Sequence, residues 1–152
     1  MLFVVHRHHA TTRHYDLRLE VDGVLASWAV PKVPSLDPQV KRLAMRVDDH
    51  DLDHADVEGT EHGSKIIWDR GGYDADAPAA ALAAGHLRFV LHGEKLAGGF
   101  VLQHTRMGGH DRNWLLLKVD GEHADPGRDL ALEEASVVSG LTNADLEAGS
   151  ES

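Results

Sequence analysis

His14, Asp16 and Arg18 recur at every second position, which puts an imidazole, a carboxylate and a guanidinium on one face of an extended chain. Between them they offer a metal ligand or proton donor, an anionic ligand and a fork for phosphate oxygens. Tyr15, Leu17, Leu19 and Val21 fall on the other face. The segment 13–21 therefore reads as a strand with its apolar side on a core. Water alone would also select a polar outer face, so the neighbourhood must decide whether this face is a site. His8, His14, Asp16 and His50 are the residues to bring together. Two such imidazoles and one carboxylate suit Mn²⁺, Fe²⁺ or Zn²⁺ and leave positions open for substrate or water. The spacing His-x5-His-x-Asp is not by itself specific for that chemistry.

Composition bounds the scaffold. At 152 residues, with 42% apolar residues and 15 glycines, the chain fits one turn-rich β domain with a real core. It has no cysteine, so disulfides are excluded and any metal must be held by histidine and carboxylate. The formal net charge of −10 argues against non-specific binding along a duplex, which needs many phosphate contacts. It leaves room for an enzyme that grips one end through a few placed cations. The first residues run straight into Arg7 and His8, unlike a signal peptide or a membrane span, and a cytoplasmic protein is expected.

Residues 2–6 read as a first strand and 7–10 as a loop or strand end. Asp22-Gly23 between two alternating runs predicts a tight hairpin, because both central positions of a type I′ turn take positive φ. The return strand is 24–30, with Trp28 in the core or on a cleft wall. Three prolines between 31 and 38 exclude a central strand and predict a rigid loop, followed by a helical turn at 39–42. Residues 43–47 alternate again and deliver Asp48, Asp49 and His50 at a strand end, where scaffolds present functional groups. A short strand at 66–68 is closed by 69–72. Residues 78–84 form the one good helix, ended by Gly85. Strands at 86–92 and 96–104 make a second hairpin, and 113–119 is the last strand. Seven or so strands and one small helix fit an antiparallel barrel or sandwich. The expected division is a β domain, 1–121, and an acidic, linker-like and partly disordered tail, 122–152, with a weak amphipathic helix at 129–137.

Longer motifs carry a family resemblance. Phe3-Val4-Val5-His6-Arg7-His8-His9-Ala10, His14-Tyr15-Asp16-Leu17-Arg18-Leu19-Glu20 and Gly23-Val24-Leu25-Ala26-Ser27-Trp28-Ala29-Val30-Pro31-Lys32 closely resemble the 3′-phosphoesterase domain of bacterial ligase D. Asp49-His50, Glu58-Gly59-Thr60, Ile67-Trp68-Asp69-Arg70-Gly71 and Gly93-Glu94-Lys95-Leu96 extend the resemblance over about residues 3–120. It implies a mainly β fold, a compact antiparallel β-barrel with one or two short helices. It also implies a Mn²⁺-dependent phosphoesterase, with Co²⁺ or Zn²⁺ as substitutes, acting on the 3′ ends of primer-template duplexes in end joining. Family members remove a 3′-terminal ribonucleoside and then the 3′-phosphate, leaving a hydroxyl. The resemblance assigns the metal to His8, Asp16 and His50, and the substrate phosphate to His14, Arg18, Lys32 and Arg42. His14, Arg18 and His54 are the expected catalytic residues. A free-standing member is expected, with separate ligase, polymerase or end-binding repair proteins as partners and no membrane.

Three departures stand out. His54 occupies a position where the family commonly has Tyr; phenol and imidazole both donate a hydrogen bond but differ in reach and acidity. His6 stands where Gln is usual. After Glu58-Gly59-Thr60 only Glu61-His62-Gly63-Ser64-Lys65 precedes the next strand, a shorter loop than the family's. The shortened loop and His54 favour the competing reading, a weakly active or non-catalytic module that binds nucleic-acid ends and recruits repair partners; the retention of all seven core site residues favours the phosphoesterase. A cupin-like small-molecule enzyme lacks the expected His-x-His pair followed by Glu. His9, His62, His86, His92, His104, His110 and His123 have no motif behind them and are expected to be structural or exposed.

Overall fold

A computed structural model describes residues 1–105 and 111–150, so His110 lies outside the described residues. The eight described strands are β1 Leu2–His9, β2 Arg13–Val21, β3 Val24–Val30, β4 Lys41–Asp51, β5 Ser64–Ala75, β6 His86–His92, β7 Ala97–His104 and β8 Asn113–Lys118. They close into a barrel in the order β1-β2-β3-β4-β8-β7-β6-β5, with β5 returning to β1 and every pair antiparallel. Two short helices, α1 Pro78–Ala83 and α2 Asn143–Ser150, lie outside it. No helix among the described residues is long and apolar enough to cross a membrane.

Alternation sets the two faces of the wall. Phe3 and Val5 of β1, Leu17 and Leu19 of β2, and Trp28 of β3 fill the interior with Phe89, Phe100 and Trp114. The residues between them, including His6, Asp16 and Arg18, face outward. The hairpin behaves as its sequence demands: Asp22 and Gly23 take φ of 51° and 83°. A second apolar cluster of Val4, Leu25, Ala55 and Ile67 forms on the outside of the wall, with Leu52 packed against it. It pins the 3-10 turn Leu52–Asp56 over β1, β3 and β5, which is how His54 reaches the outer face.

Several boundaries differ from the sequence expectation. β1 runs on to His9, because residues 7–9 pair with β2 on one side and β5 on the other. Arg42 stands in β4 opposite Leu116, not in a helical turn. β5 does not stop at Trp68. Its register slips between Val5 and His6, and Trp68 is the extra residue of a bulge. The bulge turns both Trp68 and Asp69 into the buried interior. There the Asp69 carboxylate accepts from the backbone N–H of Glu94, Lys95 and Leu96 at 3.0, 3.2 and 2.7 Å. A Cβ on Gly93 would run into that carboxylate and into Phe3. The Trp-Asp-Arg-Gly and Gly-Glu-Lys-Leu motifs thus hold each other and build the barrel.

Residues 130–150 lie along the wall. Instead of a helix at 129–137 there is a single 3-10 turn, Leu130–Leu132, with Leu130 buried. Glu133 O accepts from Trp68 Nε1 at 2.6 Å, Ala135 O from Lys95 Nζ at 2.6 Å, and Ile67 O from Val137 N at 3.0 Å. Asn143, fully buried at the start of α2, donates from Nδ2 to Arg7 O and Ser64 O, both at 2.9 Å.

Candidate active site

The register of β1 against β2 aligns His8 with His14, His6 with Asp16 and Val4 with Arg18. Because these are outward positions, two imidazoles, a carboxylate and a guanidinium share one patch. Asp16, 5% exposed, is its centre. His14 Nε2 lies 3.1 Å from Asp16 Oδ1, His8 Nδ1 3.5 Å from Oδ2, and an Arg18 terminal nitrogen 3.3 Å from Oδ2. Burial alone would raise the Asp16 carboxyl. The hydrogen bonds from His14 and His8 and the charge of Arg18 outweigh it, and hold the group well below the usual carboxylate range. The same bond to Asp16 raises His14 and favours its protonated form.

Each histidine is oriented by what its other nitrogen touches. His8 Nε2 sits 2.6 Å from His62 O, and a carbonyl only accepts. Nε2 therefore carries a proton; when Nδ1 carries one as well it donates to Asp16, and when it does not its lone pair faces the same carboxylate. The short loop before β5 makes this possible. Gly59 and Lys65 exchange backbone hydrogen bonds of 3.0 and 2.9 Å that close it, and Gly63, at φ 79°, packs on His9 O where a Cβ would clash. His6 is inaccessible to solvent: Nε2 donates to Val57 O at 3.0 Å, and Nδ1 accepts from Arg18 Nε at 3.4 Å. Burial, with Arg18 adding to it, lowers its pKa to about 3.

Arg18 stands between Asp16 and His50. Its second terminal nitrogen donates to Ser27 Oγ and lies 2.9 Å from His50 Nδ1. That same Nδ1 is 3.0 Å from Asp48 O. One nitrogen cannot accept from Arg18 and donate to Asp48 at once. In the tautomer that donates to Asp48, Nε2 carries the lone pair, the usual arrangement of a ligating histidine. Behind His50 comes His54, its ring centroid 4.7 Å away and its Nε2 accepting from Lys65 Nζ at 3.0 Å. Burial lowers His54 to about 4, with Arg18 and Lys65 contributing.

The expected residues are thus distributed unevenly. His8, His14 and Asp16 offer three ligand atoms within 4.8 Å of one another, the one such group among the described residues. His50 and His54 follow on the far side of Arg18. Lys32 is exposed and Arg42 half-buried, its Nε donating to Val33 O at 2.7 Å. With Pro31, Lys41 and Leu43 they line a cavity of about 340 Å³. Tyr15 pairs with Val30, so this loop leaves β3 beside the start of β2, where His14 stands. Sequence reasoning noted His6 only as a departure and passed over Ser27 and Lys65. Ser27 could have been found from its outward position in the hairpin opposite Arg18; Lys65 has no local signal, since its place depends on the β1–β5 register.

The chain is similar to known proteins over most of its length. Residues 6–104 match the profile described as the DNA Ligase D 3′-phosphoesterase domain. Over 128 residues the chain is 50% identical to the multifunctional non-homologous end joining protein LigD of Pseudomonas aeruginosa, covering 79% of this chain and 15% of that protein. Over 109 residues it is 42% identical to the LigD DNA repair protein of Mycobacterium tuberculosis, covering 68% and 14%. Over 140 residues it is 36% identical to LigD of Mycolicibacterium smegmatis, covering 82% and 18%. The chain therefore spans less than a fifth of the length of these curated relatives.

Proposed function

We propose, since the chain belongs to the DNA ligase D 3′-phosphoesterase domain family, that it hydrolyses phosphoesters at nucleic-acid 3′ ends during non-homologous end joining. The observation that carries this reading is the convergence of His8, His14 and Arg18 on the buried Asp16 carboxylate. A solvated strand face has no reason to bury an acid and spend three partners on it.

The donor set fits a divalent ion such as Mn²⁺, with Co²⁺ or Zn²⁺ as substitutes: imidazole lone pairs beside an ionised carboxylate, with no thiolate. His8 and Asp16 would hold it, with His50 as third ligand in the tautomer that donates to Asp48. When bound, such an ion supplies Lewis-acid polarisation of a phosphate oxygen. The protein's own groups do the rest. Arg18 presents fixed donors to the phosphate and offsets the charge that develops on it. His14, with its proton favoured by Asp16, hydrogen-bonds an oxygen or protonates the leaving alkoxide. Lys32 and Arg42, at the neighbouring cavity, would hold phosphate of the bound strand. His54 flanks the site where a hydrogen-bond donor is expected.

The substrate end follows from the charge. A chain of net charge −10 that sets only a few cations, Arg18 in the patch and Lys32 and Arg42 beside it, suits a strand terminus, not the length of a duplex. Separate ligase, polymerase and end-binding proteins would then use the hydroxyl it leaves. The test is incubation with Mn²⁺ and primer-templates ending in a 3′-ribonucleotide or a 3′-phosphate, with release of nucleoside and of phosphate measured separately. Release of either, abolished by Asp16→Ala, is expected. Tight binding of the 3′ end with neither release would replace this reading by the accessory-module one.

A further inference from the structure

Lys65 is the second residue of β5, and its register partner in β1 is His8. In an antiparallel ladder, partners project to the same side, so Lys65 belongs to the outer patch. The strand order there is β2, β1, β5. Arg18 rises from β2 and Lys65 from β5, with the His6 and His8 row of β1 between them. Two strand spacings, about 10 Å, separate the outer two strands. Two long cationic side chains can close that gap onto one phosphate.

The surroundings of Lys65 point to an incoming anion. It is half-buried and desolvated, and its Nζ is held by a neutral imidazole, His54, at 3.0 Å. Among the described residues no carboxylate forms an ion pair with it, although it feels the field of Asp16. Its charge acts in turn on His6, His14, His50 and His54, so it lies within electrostatic reach of the whole cluster. It also lines a cavity of about 290 Å³ with His54, Glu58, Glu61 and His62, which opens space for the substrate on its far side. A partly desolvated cation that no carboxylate pairs with directly gains most from an anion that binds there.

We infer that Lys65 is a further substrate-contacting residue, whose ammonium holds a non-bridging oxygen of the 3′-phosphate from the β5 side, across the β1 histidines from Arg18. This rests on the phosphoesterase reading. It also gives the short loop a role: by closing on Gly59, it places a lysine at the strand's first turn of wall.

The test uses Lys65→Met, Lys65→Arg and, as a charge control on the outer face of β6, Arg88→Met. Binding of inorganic phosphate is measured by calorimetry, metal-free and with Mn²⁺, and kcat/KM on a 3′-phosphate primer-template. Lys65→Met should weaken phosphate binding and lower kcat/KM by about 10- to 100-fold, the worth of one hydrogen bond between charged groups. Lys65→Arg should recover most of both, and Arg88→Met should match the wild type. Mn²⁺ affinity should not fall in Lys65→Met, since a like charge has been removed. Wild-type phosphate affinity in Lys65→Met overturns the inference. So does a Lys65→Met effect that vanishes in a His54→Ala background, which would mean that Lys65 acts only through His54. A wild type that turns nothing over, yet binds phosphate through Lys65, overturns the phosphoesterase reading alone.

Discussion

Arg18 Nε donates to His6 Nδ1 at 3.4 Å, and this bond ties a buried neutral imidazole to the guanidinium that stands between Asp16 and His50. His6 Nε2 meanwhile donates to Val57 O. An amide can do both tasks, its oxygen accepting from Arg18 and its nitrogen donating to Val57. Gln is therefore a working substitute at this position, without a titrating group.

That difference predicts a pH effect. Unfolded His6 takes up a proton below about pH 6.5, whereas folded His6 does so only near 3. Between those values the unfolded chain binds more protons, so stability falls as pH drops through the window. The slope from this residue is at most about 1.4 kcal/mol per pH unit. His6→Gln should leave the metal-free protein near wild-type stability at pH 7 and flatten the loss between pH 6.5 and 3. His54, lowered to about 4, would supply much of what remains. Urea midpoints across pH measure it; parallel curves for the two proteins would refute it.

The metal ligands can be told apart by single substitutions. Asp16→Ala should abolish Mn²⁺ binding. His50→Ala should weaken it by more than about 100-fold, beyond the cost of losing an outer hydrogen-bond partner, and His14→Ala by less. The reverse order in calorimetry would assign the ion to His8, His14 and Asp16, the compact group.

Arg18 and Arg42 should fail differently. Arg18 is 3% exposed and bonded to His6, Ser27 and Asp16, so Arg18→Ala strands a buried acid. It should cost about 3 kcal/mol of stability as well as about 10²–10³ in turnover. Arg42→Ala loses one bond to Val33 O and should cost about 1 kcal/mol, with its main effect on substrate affinity. Denaturant titration beside kcat and KM separates the two; equal stability losses would contradict the burial difference.

Asn143 ties the C-terminal helix to the two strands that carry His8 and Lys65. Its Nδ2 serves Arg7 O and Ser64 O, and its Oδ1 accepts from Arg7 at 3.2 Å. Asn143→Ala leaves buried carbonyls unpaired and should cost about 1–3 kcal/mol. Mn²⁺ affinity should fall with it, because residues 7 and 64 adjoin His8 and Lys65. An unchanged melting temperature would mean that the helix does not hold the wall.

The sequence by itself determined the strands whose faces differ. Tyr15 to Val21 alternate because successive side chains of a strand point oppositely, and Asp22-Gly23 turns because both residues accept positive φ. Its motifs also named the family, and with it the barrel, and they pointed to His8, His14, Asp16 and Arg18, which the structure brings together. These are local matters, decided by backbone sterics and residue type. Local pattern was silent where the outcome depends on register between distant segments. The slip at Trp68, the pairing of Lys65 with His8, Arg42 on a strand and the docking of residues 129–150 were decided only by the tertiary structure. A strand's period says which side chains share a face, but not which strand lies beside it. That choice is made when the barrel closes, and the arrangement reached buries Trp28, Trp68 and Phe100 together and leaves Asp16 beside Arg18.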